Sequence, residues 1–213
     1  MEIIVTGKAN EYFKPDQIIL NINFCVKENT YEDVLIKGTN NVKIFIDEVL
    51  INNGFKNNDL KTRSFIIKEE KKYDNISNNY IFDGFSYNQE ASLKFNYDKE
   101  LLSKLMVDIS KLESAPKYKI NFGLINEKDI RKNVLTLSYN DALEKATILA
   151  NASHKNILKC IKIDYKNDVK YFSQSNLDSE FMYARETANT INEIFTPEDI
   201  LVSEEIICHF IAE

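Results

Sequence analysis

Glycine is scarce, with five in 213 residues, and neither G-x-G-x-x-G nor G-x-x-x-x-G-K-[ST] occurs. No glycine-rich loop is therefore available to wrap a phosphate. Histidine is scarcer still. Zinc needs three or four convergent ligands, and the chain has only His154 and His209. His209 follows Cys208 on what reads as a strand, where neighbours point to opposite faces. His154 follows an alanine-rich helix, and its charge suits the negative end of that helix. Structural roles are expected for both, with no metal, no cofactor and no catalytic residue. Cys25, Cys160 and Cys208 are odd in number, far apart and outside any C-x-x-C pattern. Each falls in a strand-like stretch and reads as a buried or half-buried free thiol. Cys160 with His154 is the nearest approach to a nucleophile pair. A redox-sensing thiol would need exposure and a lowered pKa.

Long apolar runs are also missing: nothing nears the ~20 residues of a membrane-spanning helix. Met1 to Ala9 lacks a basic segment followed by an apolar one, so a cytoplasmic location is expected. Basic excess is absent too. The net charge is -6 and the pI about 5.2, which argues against nucleic acid, because neutralising phosphates takes a concentrated lysine and arginine surface. Lys68-Glu69-Glu70-Lys71-Lys72 mixes both signs and reads as a solvated hairpin arm. The adjacent acids Glu69-Glu70 and Glu204-Glu205 face apart if they lie on strands, so neither is a converging acid/base pair. Glu204 is expected at a bulge or a covered interface.

What the chain does have is periodicity. Ile3, Val5, Gly7 and Ala9 suggest a first strand over about 2–13. After a turn at Pro15-Asp16, Ile18, Leu20, Ile22, Phe24 and Val26 form a period-two row, the mark of a half-buried strand. A link this short predicts that the two strands pair antiparallel. Thr30 caps a helix with Val34, Leu35, Val42, Phe45, Val49 and Leu50 on its apolar stripe, and Gly54 ends it. Gly38 inside that helix costs about 1 kcal/mol relative to alanine and marks close packing. Strands follow at about 59–73 and 80–97. In the second, Phe85, Tyr87, Ala91, Leu93, Phe95 and Tyr97 face one way, with Ser86, Asn88, Glu90, Ser92, Lys94 and Asn96 opposite.

A helix from Asp98 carries Leu101, Leu102, Leu105, Met106, Ile109 and Leu112. Past Pro116 comes a strand with Tyr118, Ile120, Phe122 and Leu124. A long helix over about 127–153 holds Ala142, Ala146 and Ala150 four apart, a narrow ridge suited to lying close on a sheet. Strands with Ile161, Ile163 and Tyr165, and over about 199–211, complete the order ββαββαβαββ. Apolar residues on both faces of the last strand place it centrally, or under cover on both sides. The fold class is α+β: a mainly antiparallel sheet of about seven strands carrying three helices.

The stretch 166–196 breaks the pattern, being polar yet holding Tyr171, Phe172, Phe181, Met182, Tyr183 and Phe195. A connection of this length is functional or mobile as a rule. A helix over 180–194 fits the pattern, and Phe181, Met182 and Tyr183 are the expected subunit contact of a homo-oligomer.

Several landmarks together resemble the SIMPL-domain family, which includes bacterial oxidative-stress-defence proteins and an exported immunogenic protein. They are Ile4-Val5-Thr6-Gly7 before Pro15-Asp16, then Asn52-Asn53-Gly54-Phe55 leading to Asp59-Leu60-Lys61-Thr62, similar to the family's G-x-x-x-x-D-[IL]-x-T turn. Asp83-Gly84-Phe85 resembles its G-[YF] strand opening. Ile120-Asn121-Phe122-Gly123-Leu124, with Asp141-Ala142, Lys145-Ala146 and Leu149-Ala150, resembles its I-x-F-x-L strand and alanine-rich helix. His154 and Leu158 stand where many members have glycine, and Ser114-Ala115 replaces a Gly-Ala pair.

The resemblance implies one unit over 1–213, divisible into two interleaved lobes that share long strands, about 1–76 plus 127–213 and about 77–126. It also implies a tendency toward rings or channel-like oligomers and a link with oxidative stress, with no catalytic residues to carry over. The function expected is a non-enzymatic oligomeric or binding protein. The alternatives are a small-molecule binder or enzyme with a pocket between the lobes, drawing on the tyrosines and asparagines near 73–88, and a thiol redox sensor.

Overall fold

A computed structural model describes residues 1–76, 78–165, 177–178 and 196–213. The elements run β1 (Glu2–Phe13), β2 (Gln17–Glu28), α1 (Tyr31–Ile44), β3 (Lys61–Asp74), β4 (Asn79–Asn96), α2 (Lys99–Ser110), β5 (Lys117–Gly123), α3 (Glu127–Ala152), β6 (Ile157–Tyr165), the two-residue β7 (Leu177–Asp178) and β8 (Ile200–Ala212). The fold is α+β, in the order the periodicities predict.

The strands divide into two sheets, ordered β1-β8-β6 and β3-β4-β2-β5-β7. They belong to two compact units. One comprises the described residues of Met1–Pro15, Gly123–Gln174 and Glu198–Glu213, the other those of Asp16–Phe122 and Ser175–Pro197. These units divide at residues 15/16 and 122/123. β1 and β2 do not pair, despite the short link. β1 is zipped along its whole length to β8, Glu2 opposite Ile211 through Phe13 opposite Ile200, while both edges of β2 are taken by β4 and β5. A strand with no free edge cannot take its sequence neighbour.

In the first unit β8 is the central strand. Val202, Ile206, Cys208, Phe210 and Ala212 are buried beneath α3. On the alternate face Glu205 and Ile207 are exposed, while Leu201, Ser203, His209 and Ile211 are half-buried. Ala142, Ala146 and Ala150 are fully buried, so the ridge read from their spacing is the packing surface. A Cβ on Gly7 of β1 would sit 2.7 Å from that of Ala142, which no real side chain tolerates. Asp141 Oδ2 accepts from the Lys8 backbone N–H and from Lys145 Nζ, both at 2.7 Å, and Lys145 Nζ also reaches Thr6 O at 3.1 Å. The helix is thereby fixed to the strand at the point of closest approach.

In the second unit Ile18, Leu20, Ile22 and Phe24 of β2 form the floor, with Tyr87, Ala91 and Leu93 of β4 and Ile120 and Phe122 of β5. Val34, Phe45, Leu102, Leu105 and Ile109 cover it from the helices. Thr30 caps α1 by accepting from Asp33 N at 3.1 Å. Past Ile44 the helix widens into a π-helical stretch over Phe45–Leu50, then a 3-10 turn over Ile51–Asn53, stopped by Gly54 at φ 83°. The wider turn lets Phe45, Val49 and Leu50 all face the core, and all three are fully buried.

Candidate interaction surface

β3 is an edge strand of 14 residues, and not one of them is buried. Yet it carries Phe65, Ile66, Ile67 and Tyr73. The β2–β4 pairing ends at Glu28 opposite Phe85. Beyond that point β3 is the one strand beside β4 among the described residues, and the two continue as a ribbon to Asp74 opposite Asn79. The ribbon starts with a kink. Glu69 pairs with Phe85 and Lys71 with Phe82, so Asp83 and Gly84 together oppose Glu70. Gly84 takes φ 91°, and a Cβ there would lie 2.6 Å from Glu28 O, so this position admits only glycine.

Aromatic rings line the arm in edge-on pairs. Tyr73 meets Tyr80 at 5.3 Å, Phe82 meets Phe85 at 5.4 Å, and Phe85 meets Tyr31 of α1 at 5.9 Å. Tyr73, Tyr80, Phe82 and Phe65 are half or more exposed, or nearly so, and Ile76 at the turn is 96% exposed. The tyrosine and asparagine groups near 73–88 serve one another: Tyr73 donates to Asn78 Oδ1, and Tyr87 to Gln89 Oε1. The Lys68–Lys72 run is held by local ion pairs, Lys68 to Glu70 at 3.1 Å and Lys71 to Glu69 at 3.3 Å. Asp83 is bound by Lys27 and, at 3.6 Å, by Lys72. The Lys27 hydrogen bond holds the Asp83 carboxyl below its ordinary range, and the Ser86 hydroxyl does the same for Glu70. The ribbon, residues 69–85, holds two of the 27 basic and four of the 33 acidic residues, so it is at -2 and the remainder at -4.

Phe181, Met182 and Tyr183 lie outside the described residues, as do the 180–194 helix and nearly all of 166–196. The arm went unread in the sequence as an exposed apolar surface. Its signal was Phe65-Ile66-Ile67, three apolar residues in a row, which put oil on both faces of one strand.

Reactive groups elsewhere are dispersed. Cys25 is exposed, not buried or half-buried, because it points out from the face of β2 opposite the core. Cys208 is buried, and burial, with Cys160 beside it, pushes its thiol up to about 11. Such a thiol is not the thiolate a redox sensor uses. Cys160 turns its thiol to Lys162 O at 3.5 Å. His154 sits just past α3 at φ 55°, with its N–H on Asn151 O and that of Lys155 on Ala150 O, the pattern of a glycine-type helix stop. His209 lies between Glu2 at 3.1 Å and Asp164 at 3.4 Å, on the face of β8 opposite Cys208. Glu204 is at no bulge, since the β1–β8 register runs unbroken through it. It is buried and accepts from Arg131 Nη1 at 3.2 Å and from the Tyr165 hydroxyl at 3.0 Å. Among the described residues no three His, Cys, Asp or Glu side chains gather in a way that could hold a metal ion, and no helix is long and apolar enough to cross a membrane.

These features define an α+β protein of two sheet-and-helix units, the second of which carries a ribbon with exposed aromatic residues. The chain belongs to the SIMPL family, described as "Protein of unknown function (DUF541)", which it matches over residues 3–206. No curated protein matches it.

Proposed function

We propose that this protein works by assembly rather than by catalysis, binding a second copy of itself through the β3–β4 arm. The observation that carries this is that no residue of β3 is buried and that Phe65, Ile66 and Tyr73 are each about half exposed. A two-stranded ribbon is marginal alone in water, and an apolar one gains most from being covered. A ribbon at -2 suits neither nucleic acid nor an anionic surface, and the β3 edge of a second copy offers an equally uncovered strand to meet it. Phe181, Met182 and Tyr183 are a second proposed contact on the grounds of sequence. The stress role implied by the family resemblance belongs to this reading, exerted by the assembly and not by a reactive group.

Light scattering at tens of micromolar on the intact chain and on a Phe82→Asp, Tyr80→Asp variant tests the proposal. An oligomer that the variant reduces to monomer is expected. A monomeric intact chain overturns it, and an oligomer indifferent to the arm moves the contact to 171–195, which a chain lacking those residues then checks.

A further inference from the structure

β3 shares one property with β6, the edge strand of the first unit: neither has a single buried residue. β6 is joined to β8 along one side, and among the described residues its other side has no strand beside it. Two register breaks, at Ile157/Lys159 and Cys160/Lys162, leave Leu158 and Ile161 without a partner on β8. The alanine ridge of α3 packs on β1 and β8 and leaves β6 largely uncovered. Leu158, Ile161, Ile163 and Tyr165 are each about half exposed. An unpaired edge with this much apolar surface is a template for another strand.

The β3–β4 ribbon and the β6 edge differ in sign. Residues 155–165 hold Lys155, Lys159 and Lys162 against Asp164, a balance of +2 in a chain of -6, whereas the ribbon is at -2. Lys162 is taken up by Asp164 at 2.7 Å. Lys159 is exposed and makes no ion pair among the described residues. The chain thus carries one acidic and one basic apolar edge, each without cover.

We propose that β6 of one copy receives the β3–β4 ribbon of another. This rests on the association through the arm proposed above and names the surface that takes the arm. Ribbon against ribbon sets -2 against -2, while ribbon against β6 sets -2 against +2. Pairing of β3 with a second β3 leaves Leu158, Ile161, Ile163 and Tyr165 in water. The ribbon on β6 covers the apolar side chains of both edges in one contact, and the free backbone groups of β6 supply the hydrogen bonds of an added strand. Because the two surfaces differ, the contact is heterologous, each copy giving one ribbon and receiving one.

Light scattering on two full-length variants, alone and mixed in equal amounts, tests this. Lys159→Glu, Ile161→Asp spoils the receiving strand and keeps the ribbon, while Phe82→Asp, Tyr80→Asp does the reverse. Each alone is expected to be monomeric. Their mixture is expected to form a dimer that grows no further, through the intact ribbon of one and the intact β6 of the other. Lys159→Glu alone, a change on an exposed side chain, should weaken association of the otherwise intact chain about fivefold or more at low salt, and by less at about 0.5 M salt. A β6 variant that assembles as the intact chain does, while the arm variant does not, overturns this inference and leaves the arm reading standing. So does a mixture that stays monomeric, or a Lys159→Glu chain that associates as tightly as the parent. A monomeric intact chain, or an oligomer that the arm variant leaves unchanged, overturns both.

Discussion

The ring of Tyr87 occupies the space that a Cβ on Gly38 would need, 2.6 Å from the ring's Cε2 and closer still to Cδ2 and Cγ. α1 meets β4 through this contact, with Val34 buried beside it and Phe65 edge-on to the same ring at 5.2 Å. The glycine costs α1 some helix propensity, and the buried ring repays it with well over 1 kcal/mol of apolar contact.

Gly38→Ala is therefore expected to destabilise the protein by about 2 kcal/mol or more, although alanine is the better helix former. Urea denaturation reads this as a lower midpoint at unchanged slope. Combining it with Tyr87→Leu, which frees the ring space, should recover part of the loss and so show that the two changes couple.

His154 holds a left-handed backbone where glycine carries no strain. His154→Gly should raise stability by about 0.5–1 kcal/mol, and His154→Val should lower it by a similar amount or more. The same denaturation curves check both signs.

Asp141 has its carboxyl held below its ordinary value of 3.8, first by Lys145 and then by the Lys8 backbone N–H. A depressed carboxylate adds stability above its unfolded pKa and loses that stability as pH falls through the lower, folded one. Asp141→Asn should therefore cost stability at pH 7 and show a shallower decline below about pH 4 than the parent. Thermal melts from pH 7 to pH 2.5 measure the two slopes.

Glu204 is buried and bound by Arg131 and Tyr165. Arg131→Met leaves a buried carboxylate short of its cation and should cost about 2–4 kcal/mol. Arg131→Met with Glu204→Met together should cost far less than either charge removed alone, because no ion then remains buried. A double-mutant cycle by chemical denaturation reads the coupling.

Thiol labelling should proceed in two stages. Cys25 is exposed and reacts first, while Cys208, buried and with its thiol pushed up to about 11, reacts only when the first unit opens. Mass spectrometry of the native and urea-unfolded chain, resolved by peptide, distinguishes the stages.

Much of this fold is legible because strand and helix periods are local. The rows Ile18–Leu20–Ile22–Phe24 and Ala142–Ala146–Ala150 are buried as their spacing says. Gly38 was legible as a packing point, though its partner Tyr87 was not. The candidate surface was the reverse. The sequence pointed to Phe181, Met182 and Tyr183, while the arm was read as a solvated hairpin from its charges. Its exposed rings depend on where β2 stops beneath β4, which no local pattern records. Nor could the pairing of Arg131 with Glu204, 73 residues on, be read from either helix or strand alone.

Side-chain alternation and helical spacing by themselves settled which segments are strands or helices and, in β1, β2, β4 and α3, which face turns inward, since those preferences act between neighbours in the chain; in β6 the row Ile161, Ile163 and Tyr165 is exposed instead. Only the tertiary structure decided the partners: β1 with β8 across nearly the whole sequence, and β2 with β4 and β5. Pairing is a competition among distant edges and surfaces for the same contacts, and its outcome depends on every competitor at once.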